Sequence, residues 1–211
     1  MGGTPPACPS PLNLPLPVDL SRVTSILYPG QVRGDYKAHG GFRFDMTGQT
    51  TAVEVRAAMA GRLTRAARYL ASGEIQYTVD IENDCGIMFR YGHLRDLPAK
   101  IQAIMDTLPP AAELDSRSTR ITGVTIALGE VVATGVGLRD SARNVFLDFG
   151  VYDLRQRNAA SNDAAWLASH NNDTAPYGTC WFDLLTTADA ARVRSLPPAD
   201  GQMGRTSDYC R

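Results

Sequence analysis

The chain contains only three histidines, and two of them have potential partners close by in sequence. His39 opens the run His39-Gly40-Gly41-Phe42-Arg43-Phe44-Asp45, and His93 closes Tyr91-Gly92-His93 ahead of Leu94. Asp148 sits in Val145-Phe146-Leu147-Asp148-Phe149-Gly150-Val151. Imidazoles and carboxylates are the donors a divalent cation needs, and a histidine beside a carboxylate also makes an acid–base pair. Arg43 has the opposite character, because a guanidinium offers no lone pair and carries a fixed positive charge. His170, beside Asn171-Asn172-Asp173, reads as a surface residue, and Asn172-Asp173-Thr174 has the form of a glycosylation acceptor that is not used. Phosphate-loop chemistry is excluded, since Gly135-Val136-Gly137 lacks a third glycine and a following helix. No G-x-S-x-G nucleophile pattern occurs.

These side chains must be held by β-structure. Gly41 to Asp45 is a short strand, Val53 to Ala58 alternates, and Met59-Ala60-Gly61 turns into Arg62 to Leu70. Ile75, Tyr77, Val79 and Ile81 recur with period 2, the pattern of a half-buried strand. Glu82-Asn83-Asp84-Cys85-Gly86 is turn chemistry before a partner strand, Ile87 to Tyr91. Val124 to Ala127, Val131 to Thr134 and Val145 to Tyr152 complete the set. Such spacing predicts an antiparallel sandwich or partly open barrel. A helix is expected where Pro98 precedes Ile101, Ile104, Met105 and Leu108, with Pro109-Pro110 ending it. Ala164 to His170 and Ala188 to Leu196 read as short helices, with Trp181 and Phe182 as core residues between them.

In their order along the chain these segments resemble the lysostaphin-type zinc endopeptidases, which cut peptidoglycan cross-bridges. The resemblance runs from about Asp35 to Tyr152. It comprises the His-Gly-Gly strand, an Ala-x-x-x-Gly turn at Ala57 to Gly61, Tyr91-Gly92-His93-Leu94, Gly129-Glu130-Val131-Val132-Ala133, and the last apolar strand. It implies a duplicated hybrid motif fold with His39 as a zinc ligand and His93 as an assisting histidine. The same mapping puts Arg43 where a ligand carboxylate belongs, and Phe146-Leu147-Asp148 where His-x-His belongs. Two of three ligands and one of two catalytic histidines have changed. The expectation is a former metal site at His39, Arg43, Phe146 and Asp148, in which Arg43 and Asp148 form an ion pair and Phe146 fills the space of an imidazole. No cofactor is then expected. An alternative keeps zinc or another divalent ion on His39, Asp45 and Asp148 with His93 as base, in an active endopeptidase. A third reading is a structural envelope module.

Domain organisation follows. Residues 1–19 form a Pro-rich arm, 20–155 the β domain with its helical insertion at about 97–120, and 156–211 a C-terminal extension with short helices packed on the same domain. The arm, with Pro5, Pro6, Pro9, Pro11, Pro15 and Pro17, is expected to be an extended tether without hydrogen bonds. Met1-Gly2-Gly3 reads as the start of a trimmed mature chain whose targeting segment is absent from this sequence.

Composition narrows the partners. With 21 basic and 22 acidic side chains among 211 residues, the chain lacks the electrostatic footprint of a nucleic-acid binder. No apolar run is long enough to span a membrane. Four dispersed cysteines, with no C-x-x-C pair, suit disulfides, Cys180 with Cys210 first and then Cys8 with Cys85. The resulting picture is a secreted or cell-envelope protein that binds a peptide or peptidoglycan fragment, or regulates a partner enzyme.

Overall fold

The computed structural model describes residues 6–44, 52–113, 115–139, 145–170, 172–199 and 203–211. Its strands are β1 (Val23–Leu27), β2 (Gln31–Arg33), β3 (Asp35–Lys37), β4 (Gly40–Phe44), β5 (Ala52–Arg56), β6 (Gly61–Ala71), β7 (Glu74–Glu82), β8 (Ile87–Arg95), β9 (Ala112–Glu113), β10 (Thr119–Ile126), β11 (Val131–Val136) and β12 (Val145–Asp153). Three helices accompany them, α1 (Ala99–Met105), α2 (Ala164–Ser169) and α3 (Thr187–Ser195). The chain is mainly β, as expected. Ten strands form one sheet whose central path runs β1-β4-β12-β8-β7-β6-β10, while β2 and β3 make a separate hairpin. The large sheet is mixed, because β9 runs parallel to β6, and among the described residues it does not close into a barrel.

Local chemistry accounts for the β7–β8 hairpin. The Asn83 side chain accepts hydrogen bonds from the Cys85 and Ile87 amides at 3.0 and 3.1 Å, and Gly86 takes a φ of +89° that a residue with a Cβ adopts only with strain. Helix α1 ends short of the Pro109-Pro110 stop and buries Ile101 and Met105. The strands of the central path are longer than alternation alone predicts, β8 reaching Arg95 and β10 beginning at Thr119.

Alternation on the central strands separates two faces. Phe42, Leu63, Val79, Ile81, Phe89, Tyr91, Leu147, Phe149 and Val151 all lie in the main apolar cluster. Trp181 caps that cluster, with ring centroids 5.1 Å from Phe42, 5.2 Å from Phe149 and 4.4 Å from Phe182. The segment after residue 155 therefore supplies core, contributing Trp181, Phe182, Leu185 and Val193.

The N-terminal arm departs from its expected form. Prolines remove donors, but the leucines and valine between them bury: Leu14 and Val18 join the core, Leu14 donates its amide to Leu184 O at 2.7 Å, and Pro17 O accepts from Arg56 at 2.8 Å. The arm is laced onto the domain, because burial of its apolar residues outweighs the preference of proline for solvated extended chain.

Both expected disulfides form, Cys8–Cys85 and Cys180–Cys210. The second closes a separation of 30 residues and holds the tail against the sheet. Replacing Cys180 and Cys210 by serine is expected to lower stability by roughly 3.5 kcal/mol on the loop-entropy scale. The shift in the urea midpoint checks this.

Candidate functional site

The face opposite the main core carries the polar residues. Cross-strand partners share a face in an antiparallel sheet, so the register places them directly. Asp148 of β12 stands opposite Gly41 of β4 and Gly92 of β8. Arg90 stands opposite Gly150 and Asp80, and Asp80 opposite Arg65. The glycines beside Asp148 make room for it. A Cβ on Gly41 would run into the Leu147 carbonyl, and one on Gly92 would lie 3.1 Å from the Asp148 Cβ.

A carboxylate between two imidazoles forms the centre of this face. Asp148 Oδ2 lies 3.5 Å from His39 Nε2 and 3.3 Å from His93 Nε2. His39 is delivered by the chain just before β4, its Nδ1 3.3 Å from Gly40 O. By plain alternation His93 would point away from Asp148, since its neighbour Gly92 pairs with Asp148. The register between β7 and β8 slips at this point, and His93 takes a φ of +59°. An extra residue in the ladder thus turns the imidazole onto the polar face, at the cost of a left-handed backbone at His93. Its Nδ1 is held 2.5 Å from Gln76 Oε1 and 3.2 Å from the Tyr69 hydroxyl. Both ring nitrogens are therefore engaged.

Electrostatics follow from burial. Burial pushes His39 down to about 4, Asp148 opposing this and the cations of Arg33, Lys37 and Arg90 adding to it. Burial alone would raise Asp148, but His39 and His93, with Arg33, outweigh it and hold the carboxyl well below the usual carboxylate range. Both shifts act in one direction. The unfolded chain takes up a proton on His39 near pH 6.5 that the folded chain refuses until about pH 4. His39 burial thus contributes fully above pH 6.5, and its contribution fades as pH falls to 4; Asp148 adds a further loss below that. The expected loss from His39 is about 3 kcal/mol. Urea unfolding at pH 7 and pH 4 checks it, with His39→Asn expected to flatten the difference.

The expected fork between Arg43 and Asp148 is not the arrangement found. Asp148 is taken by the two imidazoles, and the Arg43 guanidinium stands over the Phe146 ring, 5.7 Å from its centroid. The register explains the difference. Arg43 pairs with Phe146, while Asp148 pairs with Gly41, two residues away on the same face. Phe146 packs its ring 4.1 Å from His93. Asp45, the carboxylate of the metal-bearing alternative, lies outside the described residues.

Zinc does not fit this donor set. A catalytic zinc needs three lone-pair donors around an open position. Here an aromatic ring, Phe146, and a fixed cation, Arg43, stand on the same face as Asp148. Among the described residues no group of three or more His, Cys, Asp and Glu side chains is disposed to hold a metal ion.

Beside this centre lies a cleft of about 650 Å³ lined by His39, Arg65, Arg90, Arg117, Ser118 and Tyr152, among others. Arg90 is locked to Asp80 by two bonds of 2.7 and 2.8 Å, and Ser118 donates to the same carboxylate at 2.8 Å. Sequence reasoning found His39, His93, Asp148, Arg43 and Phe146 but missed Gln76, Asp80 and Arg90. Their signal was present. Gln76, Thr78 and Asp80 occupy the polar phase of β7 yet are buried, because the second face of the sheet is covered as well.

No protein-family model matches the chain, and neither does any curated protein.

Proposed function

We propose that this chain is a lysostaphin-type β domain, of the sandwich or partly open barrel kind, that has given up its metal centre and works as a binding module for a peptide or peptidoglycan fragment. The observation that carries this reading is the engagement of Asp148 by His39 and His93, with Arg43 and Phe146 alongside. Residues far apart in sequence converge there, and they include the positions that the resemblance assigns to a peptidase site. A buried carboxylate and a guanidinium occupy it in place of a cation and its ligands. The adjoining cleft is open and rich in donors, which suits recognition of a peptide backbone and its carboxylates. The two disulfides accord with an oxidising, extracellular or envelope setting.

Incubation of the purified chain with cross-linked peptidoglycan tests the reading. The chain is expected to sediment with the insoluble polymer and to release no new amino termini. Release of peptide fragments would restore the active-enzyme alternative. Absence of any association would favour a structural envelope role.

A further inference from the structure

Among the described residues, the cleft beside His39 is lined by an arginine with a buried nitrogen that has no hydrogen-bond partner. Across the register, Asp80 lies between two arginines, Arg65 on β6 and Arg90 on β8. Arg90 takes both oxygens of the carboxylate, and Ser118 adds a third bond to it. Asp80 is therefore saturated by its neighbours. Arg65 forms no ion pair among the described residues. One terminal nitrogen donates to Ser118 O at 3.2 Å, and its buried Nε has no hydrogen-bond partner. Tyr152 also lines the cleft and is 0% exposed.

Asp148, the other buried carboxylate near the cleft, acts on Arg90 and is engaged by His39 and His93. Lys37 is paired with Asp35, and Arg117 with Asp115. Asp173 lies exposed at the rim, where water screens it. Burying a guanidinium nitrogen without an acceptor is unfavourable, and a ligand bringing acceptors to that guanidinium offsets the cost. A planar or tetrahedral oxyanion matches the arginine fork, as a neutral group does not.

We propose that this cleft is an oxyanion subsite, in which Arg65, with Tyr152 beside it, takes a carboxylate or phosphate group of the ligand. The inference deepens the binding role proposed above and rests on it only for the source of the oxyanion.

Calorimetric titration of the full chain at low ionic strength tests it, with three probes: inorganic phosphate, trialanine with a free carboxyl terminus, and trialanine amide. Phosphate or the free acid is expected to bind at millimolar concentration or better, with the amide at least about tenfold weaker than the acid, a difference of about 1.4 kcal/mol. Arg65→Gln should lose that binding, Arg65→Lys should keep part of it, and Arg192→Gln, on the remote helix α3, should leave it unchanged. Thermal unfolding of each variant shows that it is folded; Arg65→Lys carries the test if Arg65→Gln is not. Phosphate binding that depends on Arg65, with no preference for the free-acid peptide, supports the subsite and identifies a phosphate source. Binding unaltered in a folded Arg65 variant would overturn the proposal, as would no binding of either oxyanion. Arg65-dependent binding without peptidoglycan association leaves the subsite standing while the cell-wall role falls.

Discussion

A chain carrying both Arg43→Asp and Asp148→His is expected to bind zinc on the order of 1,000-fold more tightly than the native chain, a change of about 4 kcal/mol. The double change acts on the two positions proposed to have lost their metal ligands. Removing Arg43 abolishes the repulsion of a fixed cation and puts a carboxylate on β4, on the same face as Gly41 and the cross-strand Phe146. Replacing Asp148 then supplies an imidazole on β12, within reach of His39. Neither single change suffices. Arg43→Asp alone places a second carboxylate near Asp148 but leaves Asp148 engaged by His39 and His93, and Asp148→His alone leaves Arg43 beside three imidazoles. The gain is therefore strongly non-additive, as expected for groups sharing one centre. Zinc titration of the four chains reads it out. A double variant with native affinity would show that Arg43 and Asp148 do not occupy former ligand positions.

Asp80→Ala is expected to cost about 3 to 5 kcal/mol, a large part of the stability of an ordinary domain. The Asp80 side chain is 0% exposed, and it neutralises Arg90, whose own side chain keeps 23% exposure. Without Asp80, two guanidiniums, Arg90 and Arg65, face each other across β7 with no carboxylate between them. Most of the cost is the penalty of an uncompensated buried charge rather than the net value of the pair. The companion variant Asp80→Ala with Arg90→Met should therefore recover much of the loss. Urea unfolding of both checks this. An Asp80→Ala chain as stable as the native one would show that Arg90 escapes to water.

Much of the scaffold could be read from the strands themselves. Alternation in Val145 to Tyr152 marks Leu147, Phe149 and Val151 as one face and Asp148 as the other, and the structure keeps that division. The Cys180–Cys210 bridge was legible because a tail that would otherwise fray carries one cysteine, and Cys8–Cys85 followed as the remaining pair. Convergence of His39, His93 and Asp148 was suggested by motif order. Their pairing was not, because it turns on a one-residue slip opposite Thr78 that rotates His93 by way of a positive φ. No residue type at position 93 advertises such a bulge. The Arg43–Asp148 pairing failed for a related reason. Charge complementarity indicated who might pair, whereas register decided who was opposite whom. The Asp80–Arg90 lock was hidden because a polar phase in a strand usually faces water, and here the covered second face buries it.

The most direct measurement is the zinc content and zinc affinity of the native chain, purified from zinc-supplemented medium and then titrated by calorimetry. The account predicts substoichiometric metal and a dissociation constant weaker than about 1 mM. One zinc per chain, bound at micromolar concentration or tighter and lost in His39→Asn, would contradict it.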